Sequence, residues 1–495
     1  MSACRSLKAL MRDRVEIPSV LDVWLHGLTS DSRRVRPGMA FVALAGGSAD
    51  PWDNLNDAIH RGAPVVLLES QHSGSPYEYR DAVIVPVESL GTMVADLADD
   101  FFGHPSASVS VIGVTGTNGK SSVTSFLGQI LNRCGTPTAS MGTLGYGLAG
   151  ALEHASHTTP DVTRVHELLA RFRHQGAQAV VMEVSSHALD QGRVDRVRFA
   201  GAVFTNLSRE HLDYHGSMSA YEASKARLFE AFEPEFAVIN VDDHFGERLA
   251  GRLNDDVRLL RYGTAGAARE LRIKDVRAGH DGIEARVETP MGELLLQTGL
   301  MGSFNISNMT AAAAAALALG VPVAGVSAAA VRVTGAPGRL ETFKAGNGCL
   351  VVIDYAHTED ALGTVLEALR PHTAGRLWCV FGCGGNRDTA KRPAMGAVAA
   401  RLADRVILTD DNSRHEAPER IIDEILSGME NSDGVTVMPD RRMAIEFALK
   451  QGVLGDTVLI AGKGHERIQE RAGEWIPFSD VDVVRQLLDE EGDAA

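Results

Sequence analysis

The segment Val111-Ile112-Gly113-Val114-Thr115-Gly116-Thr117-Asn118-Gly119-Lys120-Ser121-Ser122 constrains this chain more than any other. An apolar β run feeds a glycine-rich turn and then Lys-Ser. Beyond it, Val123, Phe126, Leu127, Ile130 and Leu131 recur at helical spacing. Such a turn aims backbone N–H groups and a helix N-terminus at an anion. Lys120 is then placed to reach the β/γ oxygens of a nucleotide, and Ser121 to hold Mg²⁺. The strict pattern asks for glycine where Val114 stands; here the glycines fall at 113 and 116. A plain strand-to-helix turn is the competing reading, and Lys-Ser in this context favours phosphate.

The rhythm continues along the 495 residues, a length that at roughly 150 residues per domain predicts about three domains. Residues 1–105 carry strand-like runs at Phe41–Leu44, Val65–Leu68 and Ala82–Val87. Residues 106–336 add Val109–Thr115, Ala179–Val184, Ala202–Thr205 and Ala237–Val241. Residues 337–495 alternate strand and helix: Val351–Tyr355, Ala361–Leu369, Leu377–Phe381, Pro393–Leu402, Arg405–Thr409, Pro418–Gly428 and Thr457–Ala461. This alternation predicts an α/β chain with parallel sheets and helical crossovers, in which ligands sit beyond the carboxyl ends of the strands.

Composition excludes several classes. A net charge of −16 argues against a general nucleic-acid or anionic-membrane binder. The longest apolar stretch, Ala311–Leu319, is too short to span a bilayer, and the charged N-terminus lacks a secretory apolar core. The five cysteines are too scattered for a disulfide framework or a zinc ribbon. A reduced, soluble, cytoplasmic monomer is the expectation.

Other residues with chemistry lie past predicted strand ends. Glu183 closes an apolar strand and suits a hard cation, or serves as a cap. In Thr205-Asn206-Leu207-Ser208-Arg209-Glu210-His211-Leu212-Asp213, His211 lies in a loop after a strand. Ser219 and Glu222 read as a capping box, and on that helix Tyr221, Lys225, Leu228 and Phe232 share one stripe. A lysine there either snorkels to water or is placed in a site. Asn305 and Asn308 read as helix caps. Gly382-Cys383-Gly384-Gly385-Asn386-Arg387, Asp411-Asn412-Ser413-Arg414 and Gly462-Lys463-Gly464-His465-Glu466 all follow strands. Two arginines and an acid around one pocket suggest a zwitterionic ligand bearing a carboxylate.

In this order, the segments resemble the Mur ligase family of peptidoglycan synthesis over nearly the whole chain. The resemblance implies an N-terminal UDP-substrate-binding domain (1–105), a central P-loop-type ATP-binding ligase domain (106–336) and a C-terminal Rossmann-like amino-acid-binding domain (337–495). It implies an ATP-dependent acid–amino-acid ligase forming a C–N bond through an acyl phosphate, acting on UDP-N-acetylmuramoyl-L-Ala-D-Glu.

Matched position by position, Gly116, Thr117, Asn118, Gly119, Lys120, Ser121 and Ser122 would bind ATP, with Asn305, Arg339 and Asp354 on the nucleotide. Glu183 and His211, with Ser121, would serve two Mg²⁺ sites, and Lys225 would carry a carbamate that binds the second ion. Lys120, Lys225 and His211 are thus the implied catalytic set. Ser30, Ser32, Gly47, Ser48 and Ala49 would meet the UDP moiety; Thr158, Thr159, Ser185, Gln191 and Arg193 would hold the muramoyl dipeptide. Members using meso-diaminopimelate carry Asp-Asn-Pro-Arg, matched here by Asp411, Asn412, Ser413 and Arg414. Ser413 replaces the proline and Asn386 a more usual acid. Arg387, Gly462 and Glu466 complete that pocket, and Arg414 favours diaminopimelate over L-lysine. A folylpolyglutamate-synthase-like ligase is the alternative within the architecture; a P-loop switch or motor, or a non-enzymatic nucleotide binder, lies outside it.

Overall fold

The computed structural model describes residues 4–44, 51–148, 150–155, 157–279, 282–431 and 433–493. The chain divides into two compact units: residues 1–120 with 131–260, and residues 121–130 with 261–495.

The first unit opens with a sheet of β1 (Gly27–Thr29), β2 (Met39–Ala43), β3 (Val65–Ser70), β4 (Tyr77–Tyr79) and β5 (Ala82–Glu88) in the order β1-β2-β3-β5-β4. All pair in parallel except β4 with β5. Helices α1 (Pro51–His60) and α2 (Leu90–Phe102) accompany it. A second sheet follows, built from β6 (Ser110–Thr115), β7 (Thr138–Gly142), β8 (Gly145–Leu148), β9 (Ala179–Glu183), β10 (Phe199–Phe204) and β11 (Phe236–Asn240). Helix α3 (Lys120–Arg133) follows β6 in the chain and has residues 121–130 in the second unit; the sheet's helices include α4 (Val162–His174) and α5 (Met218–Glu230). The order β8-β7-β9-β6-β10-β11 puts β6 between β9 and β10. The chain leaves β6 toward one side and returns on the other, so the loop after β6 opens at a topological switch point. Gly113 is required inside β6, because a Cβ there would meet Phe199 at 2.9 Å and Leu228 at 3.2 Å.

The second unit holds an antiparallel meander, β12 (Leu271–Gly279), β13 (Gly282–Thr289) and β14 (Gly292–Thr298), which the sequence reading does not anticipate. Helix α6 (Phe304–Ala318) is the buried alanine helix. A six-stranded sheet follows, from β15 (Glu341–Lys344), β16 (Leu350–Asp354), β17 (Leu377–Phe381), β18 (Arg405–Leu408), β19 (Val435–Val437) and β20 (Thr457–Ala461). The order is β15-β16-β20-β17-β18-β19, parallel apart from β15. Strands β16, β17 and β20 are buried throughout, as near-continuous apolar runs require.

Two local readings need correction. The cap of α5 is Ser217, whose side chain accepts from Ala220 N–H, and Ser219 lies inside the helix. Asn305 and Asn308 also lie inside their helix, which starts after Ser303. Asn305 Nδ2 donates to Met301 O at 2.8 Å and Asn308 Nδ2 to Asn305 Oδ1 at 3.1 Å. All five cysteines are free. No helix among the described residues is long and apolar enough to cross a membrane.

Arg441 and Asp480 form a doubly hydrogen-bonded pair at 2.7 Å with neither side chain exposed. Removing one partner strands a buried charge. Asp480→Ala is expected to lower unfolding free energy in urea by about 3–5 kcal/mol. Asp57→Ala, which breaks the solvent-facing pair with Arg61, is expected to cost at most about 1 kcal/mol.

Candidate functional site

The loop after β6 is folded against the segment after β10. Gly116 has φ +149°, and a Cβ there would sit 1.9 Å from Thr205 Oγ1, so only glycine fits. The N–H of Thr117 donates to Asn206 O at 2.8 Å and that of Asn118 to Asn206 Oδ1 at 2.9 Å. Thr205 Oγ1 donates to Asn118 O at 2.6 Å. Gly119, at φ +83°, turns the chain into α3. Ser121 and Ser122 lie in that helix's first turn.

Two lysines meet at this loop. Lys120 Nζ donates to Gly116 O at 2.9 Å and Thr117 O at 2.8 Å. Lys225 Nζ donates to the same Gly116 O at 2.9 Å and stands 4.5 Å from the centroid of the Tyr221 ring. Lys225 is 2% exposed, so it does not snorkel. Burial first, and the Lys120 charge second, push its ammonium well below the ordinary lysine range. The Tyr221 hydroxyl, pushed up to about 12 by burial, contacts Thr117 Oγ1 at 3.1 Å.

Glu183, buried at the end of β9, accepts from Thr143 N–H at 2.8 Å and Thr143 Oγ1 at 3.2 Å. A Cβ at Gly142 would lie 2.2 Å from Glu183 Oε1, which makes that glycine part of the carboxylate's seat. Thr158 Oγ1 meets Thr143 Oγ1 at 3.0 Å. Thr159 Oγ1 donates to Glu183 O at 2.8 Å and accepts from Ser185 N–H at 3.1 Å. Arg193 donates to Thr159 O at 3.0 Å and to Gln191 Oε1, and Gln191 Nε2 reaches Tyr214 OH at 3.0 Å. Thr158, Thr159, Ser185, Gln191 and Arg193 therefore form one network around Glu183. His211, half-exposed at φ +55°, packs edge-on to His187 at 4.9 Å; burial pushes His187 below the ordinary histidine range. Among the described residues no group of three or more His, Cys, Asp or Glu is poised on a metal. Ser30 Oγ donates to Asp161 Oδ1 at 3.1 Å and Ser32 is buried beside it in sequence. Gly47, Ser48 and Ala49 lie outside the described residues.

In the second unit the loops past β16, β17, β18 and β20 converge. Asp354 accepts from Leu340 N–H and Ala356 N–H, at 2.9 and 2.8 Å, and burial raises its carboxyl above the usual range. Arg339 lies over the Tyr355 ring at 4.9 Å, and His465 packs on the same tyrosine at 5.1 Å. Arg339 and Asp354 thus share a corner, while Asn305 is buried within its own helix. A Cβ at Gly462 would approach Asp411 Oδ2 at 2.5 Å. Asn412 Nδ2 donates to Glu466 Oε2 at 2.9 Å. Ser413 Oγ donates to Asp410 Oδ2 at 3.1 Å, and burial pushes the Asp410 carboxyl up to about 6. Arg414 donates to Gly385 O at 2.8 Å and Glu470 Oε2 at 3.1 Å. Arg387 is exposed.

Sequence reasoning missed three supports: Thr143, Glu470 and the fully buried Arg392, which pairs with Glu416 at 2.9 Å and Glu424 at 2.7 Å. Arg392 follows Lys391 at the start of its helix, and nothing in the local sequence marks it as buried.

Three family models match in series: the Mur ligase family catalytic domain over residues 25–102, the Mur ligase middle domain over 114–316 and the Mur ligase glutamate ligase domain over 338–464. A Pseudomonas aeruginosa protein named UDP-N-acetylmuramoyl-L-alanyl-D-glutamate–2,6-diaminopimelate ligase is 48% identical, over 94% of this chain and 96% of its own. The chain belongs to the Mur ligase family. A solved structure carrying that same ligase name superposes with a TM-score of 0.73 at 32% identity, covering 99% of each chain. A Mycobacterium tuberculosis folylpolyglutamate synthase bound to ADP shares the fold at TM-score 0.60 and 19% identity, over 75% of this chain. The Mur ligase fold, α/β with three domains, is that of this chain.

In this Mur ligase, Gly116→Ala forces a clash in a left-handed loop. ATP-analogue binding by calorimetry is expected to weaken about 100-fold. Gly266→Ala, where a Cβ meets nothing within 4 Å and the backbone is outside the left-handed region, is expected to leave it intact.

Proposed function

We propose that the chain is the ATP-dependent ligase that joins meso-2,6-diaminopimelate to UDP-N-acetylmuramoyl-L-Ala-D-Glu in peptidoglycan precursor synthesis. The observation that carries this reading is the pocket past β17, β18 and β20, where Arg414 and Glu466 are held in one hydrogen-bonded cluster through Asn412 and Glu470. A fixed cation and a fixed anion together suit a zwitterion with a further carboxylate, which L-lysine lacks. Folylpolyglutamate synthase likeness spans only 75% of the chain, and relatives with the diaminopimelate-ligase name match nearly all of it. In this reading the domains divide at 105/106 and 336/337, and the enzyme acts in the cytoplasm as a monomer.

The reaction has two steps. The D-Glu γ-carboxylate oxygen attacks the γ-phosphorus of ATP, the bond to the β-phosphate oxygen breaks, and ADP leaves an acyl phosphate. The amine then attacks the acyl carbon, phosphate departs, and the amide forms as the ammonium proton is lost. Clustered anions must first be brought together. Because Thr117 and Asn118 N–H bind Asn206, phosphate recognition falls to Gly119 and the α3 N-terminus. Lys120 exchanges its loop carbonyls for the migrating phosphoryl oxygens. When bound, magnesium would supply charge neutralisation for phosphoryl transfer; the buried carboxylate of Glu183 would hold it, with His211 and a modified Lys225 as the further ligands. Lys225 fits a carbamate because burial and the Lys120 charge loosen its hold on the proton, and only the neutral amine attacks CO₂. Thr158, Thr159, Ser185, Gln191 and Arg193 orient the dipeptide carboxylate near Glu183, and Ser30 and Ser32 face the UDP end.

Phosphate release with ATP, magnesium and UDP-N-acetylmuramoyl-L-Ala-D-Glu is expected to depend strictly on diaminopimelate. Preference for L-lysine would overturn the role of Arg414, and release without any amine would overturn the ligase reading.

A further inference from the structure

Lys463 follows β20 between Gly462, at φ +112°, and Gly464, at φ +51°. A Cβ on Gly464 would sit 2.7 Å from Tyr355 Cβ, so the loop is pressed inward and carries the lysine with it. The Lys463 side chain has no exposure. Its Nζ donates to Asn412 Oδ1 at 3.1 Å, Glu466 Oε2 at 3.0 Å and Ile468 O at 2.7 Å. An ammonium has three protons, and all three are used within the protein. This lysine has none left for a ligand.

Its partners are the groups that face one. Asn412 Oδ1 also accepts the N–H of Glu470 at 3.0 Å, and two donors on that oxygen fix the amide with Nδ2 toward Glu466. Glu470 in turn holds Arg414 twice, by carboxylate to Nε at 3.1 Å and by carbonyl to the arginine N–H at 3.0 Å. One arm of the network therefore runs from Lys463 to Glu466, the other through Asn412 and Glu470 to Arg414. Glu466 receives both of its contacts on Oε2, which directs Oε1 away from the network.

We propose that Lys463 is a positioning residue that sets the separation and orientation of the acidic and basic recognition groups, Glu466 and Arg414, and so couples recognition of the two poles of the incoming amino acid. This rests on reading that pocket as the amino-acid site. A buried charge with three partners is stiff, because moving any one partner leaves the ammonium short of a bond.

The test is steady-state kinetics of the full chain, varying diaminopimelate and L-lysine at saturating ATP and UDP-dipeptide. Lys463→Met is expected to raise KM for diaminopimelate at least about tenfold, the loss typical of a removed charged hydrogen bond. Its kcat should change less than about threefold and KM for ATP not at all, with the preference for diaminopimelate over lysine falling about tenfold. A fall in kcat with KM unchanged would mean only a smaller folded fraction and overturns the proposal. Should Lys463→Met fail to fold, the cycle of Glu466→Gln, Glu470→Gln and their double variant decides. Non-additive effects on KM for diaminopimelate support coupling through Lys463, and additive effects overturn it. Amino-acid-independent turnover by the wild type would instead overturn the site reading itself.

Discussion

Two lysine side chains share the carbonyl of Gly116, and most of the first unit's chemistry depends on that convergence. One cation at the end of β6 is ordinary for a phosphate-binding turn. A second, brought in by α5 and nearly sealed from water, cannot keep its full charge beside the first. The glycine turn, the Tyr221 ring and the apolar stripe of α5 together hold Lys225 where its amine is driven toward neutrality. This explains why a lysine occupies a position on α5 that packing alone would give to leucine.

The two units solve related problems with the same device, although their strand orders differ. In each, a strand at the middle of a parallel order sends its loop into a crevice flanked by loops from both sides: Gly116 between Glu183 and Thr205 in one, Gly462 among Asp354, Gly382 and Asp411 in the other. The first crevice gathers two lysines, of which Lys225 is buried, and on the proposed reading it serves phosphoryl chemistry. The second balances Arg414 against Glu466 and Glu470, the groups proposed to take an amino acid. Glycines at 116, 142, 338 and 462 are fixed by how closely backbone or carboxylate approaches them.

Much of this was legible in the sequence because parallel strands buried on both faces are unbroken apolar runs. Leu377–Phe381 and Thr457–Ala461 are strands with the bounds expected of them, and the loops past their ends converge as the alternation implies. Lys225 stood out as a charge on an apolar stripe. What stayed hidden has physical causes. The β12–β14 meander alternates buried and exposed residues along strands with long polar stretches, so it carries no apolar run. Lys463 sits between two glycines, and nothing in that segment marks its full enclosure. Thr143 and Glu470 act through contacts to residues tens of positions away, which spacing along the chain does not encode.

Whether burial and Lys120 ready the Lys225 amine for carbamate formation has one direct test: carbon-13 NMR of the protein in labelled bicarbonate. A protein-bound carbamate resonance is expected at neutral pH, absent from Lys225→Ala and lost on acidification as the lysine regains its proton. A folded, ATP-binding wild type that shows no such resonance would contradict carbamate formation at Lys225.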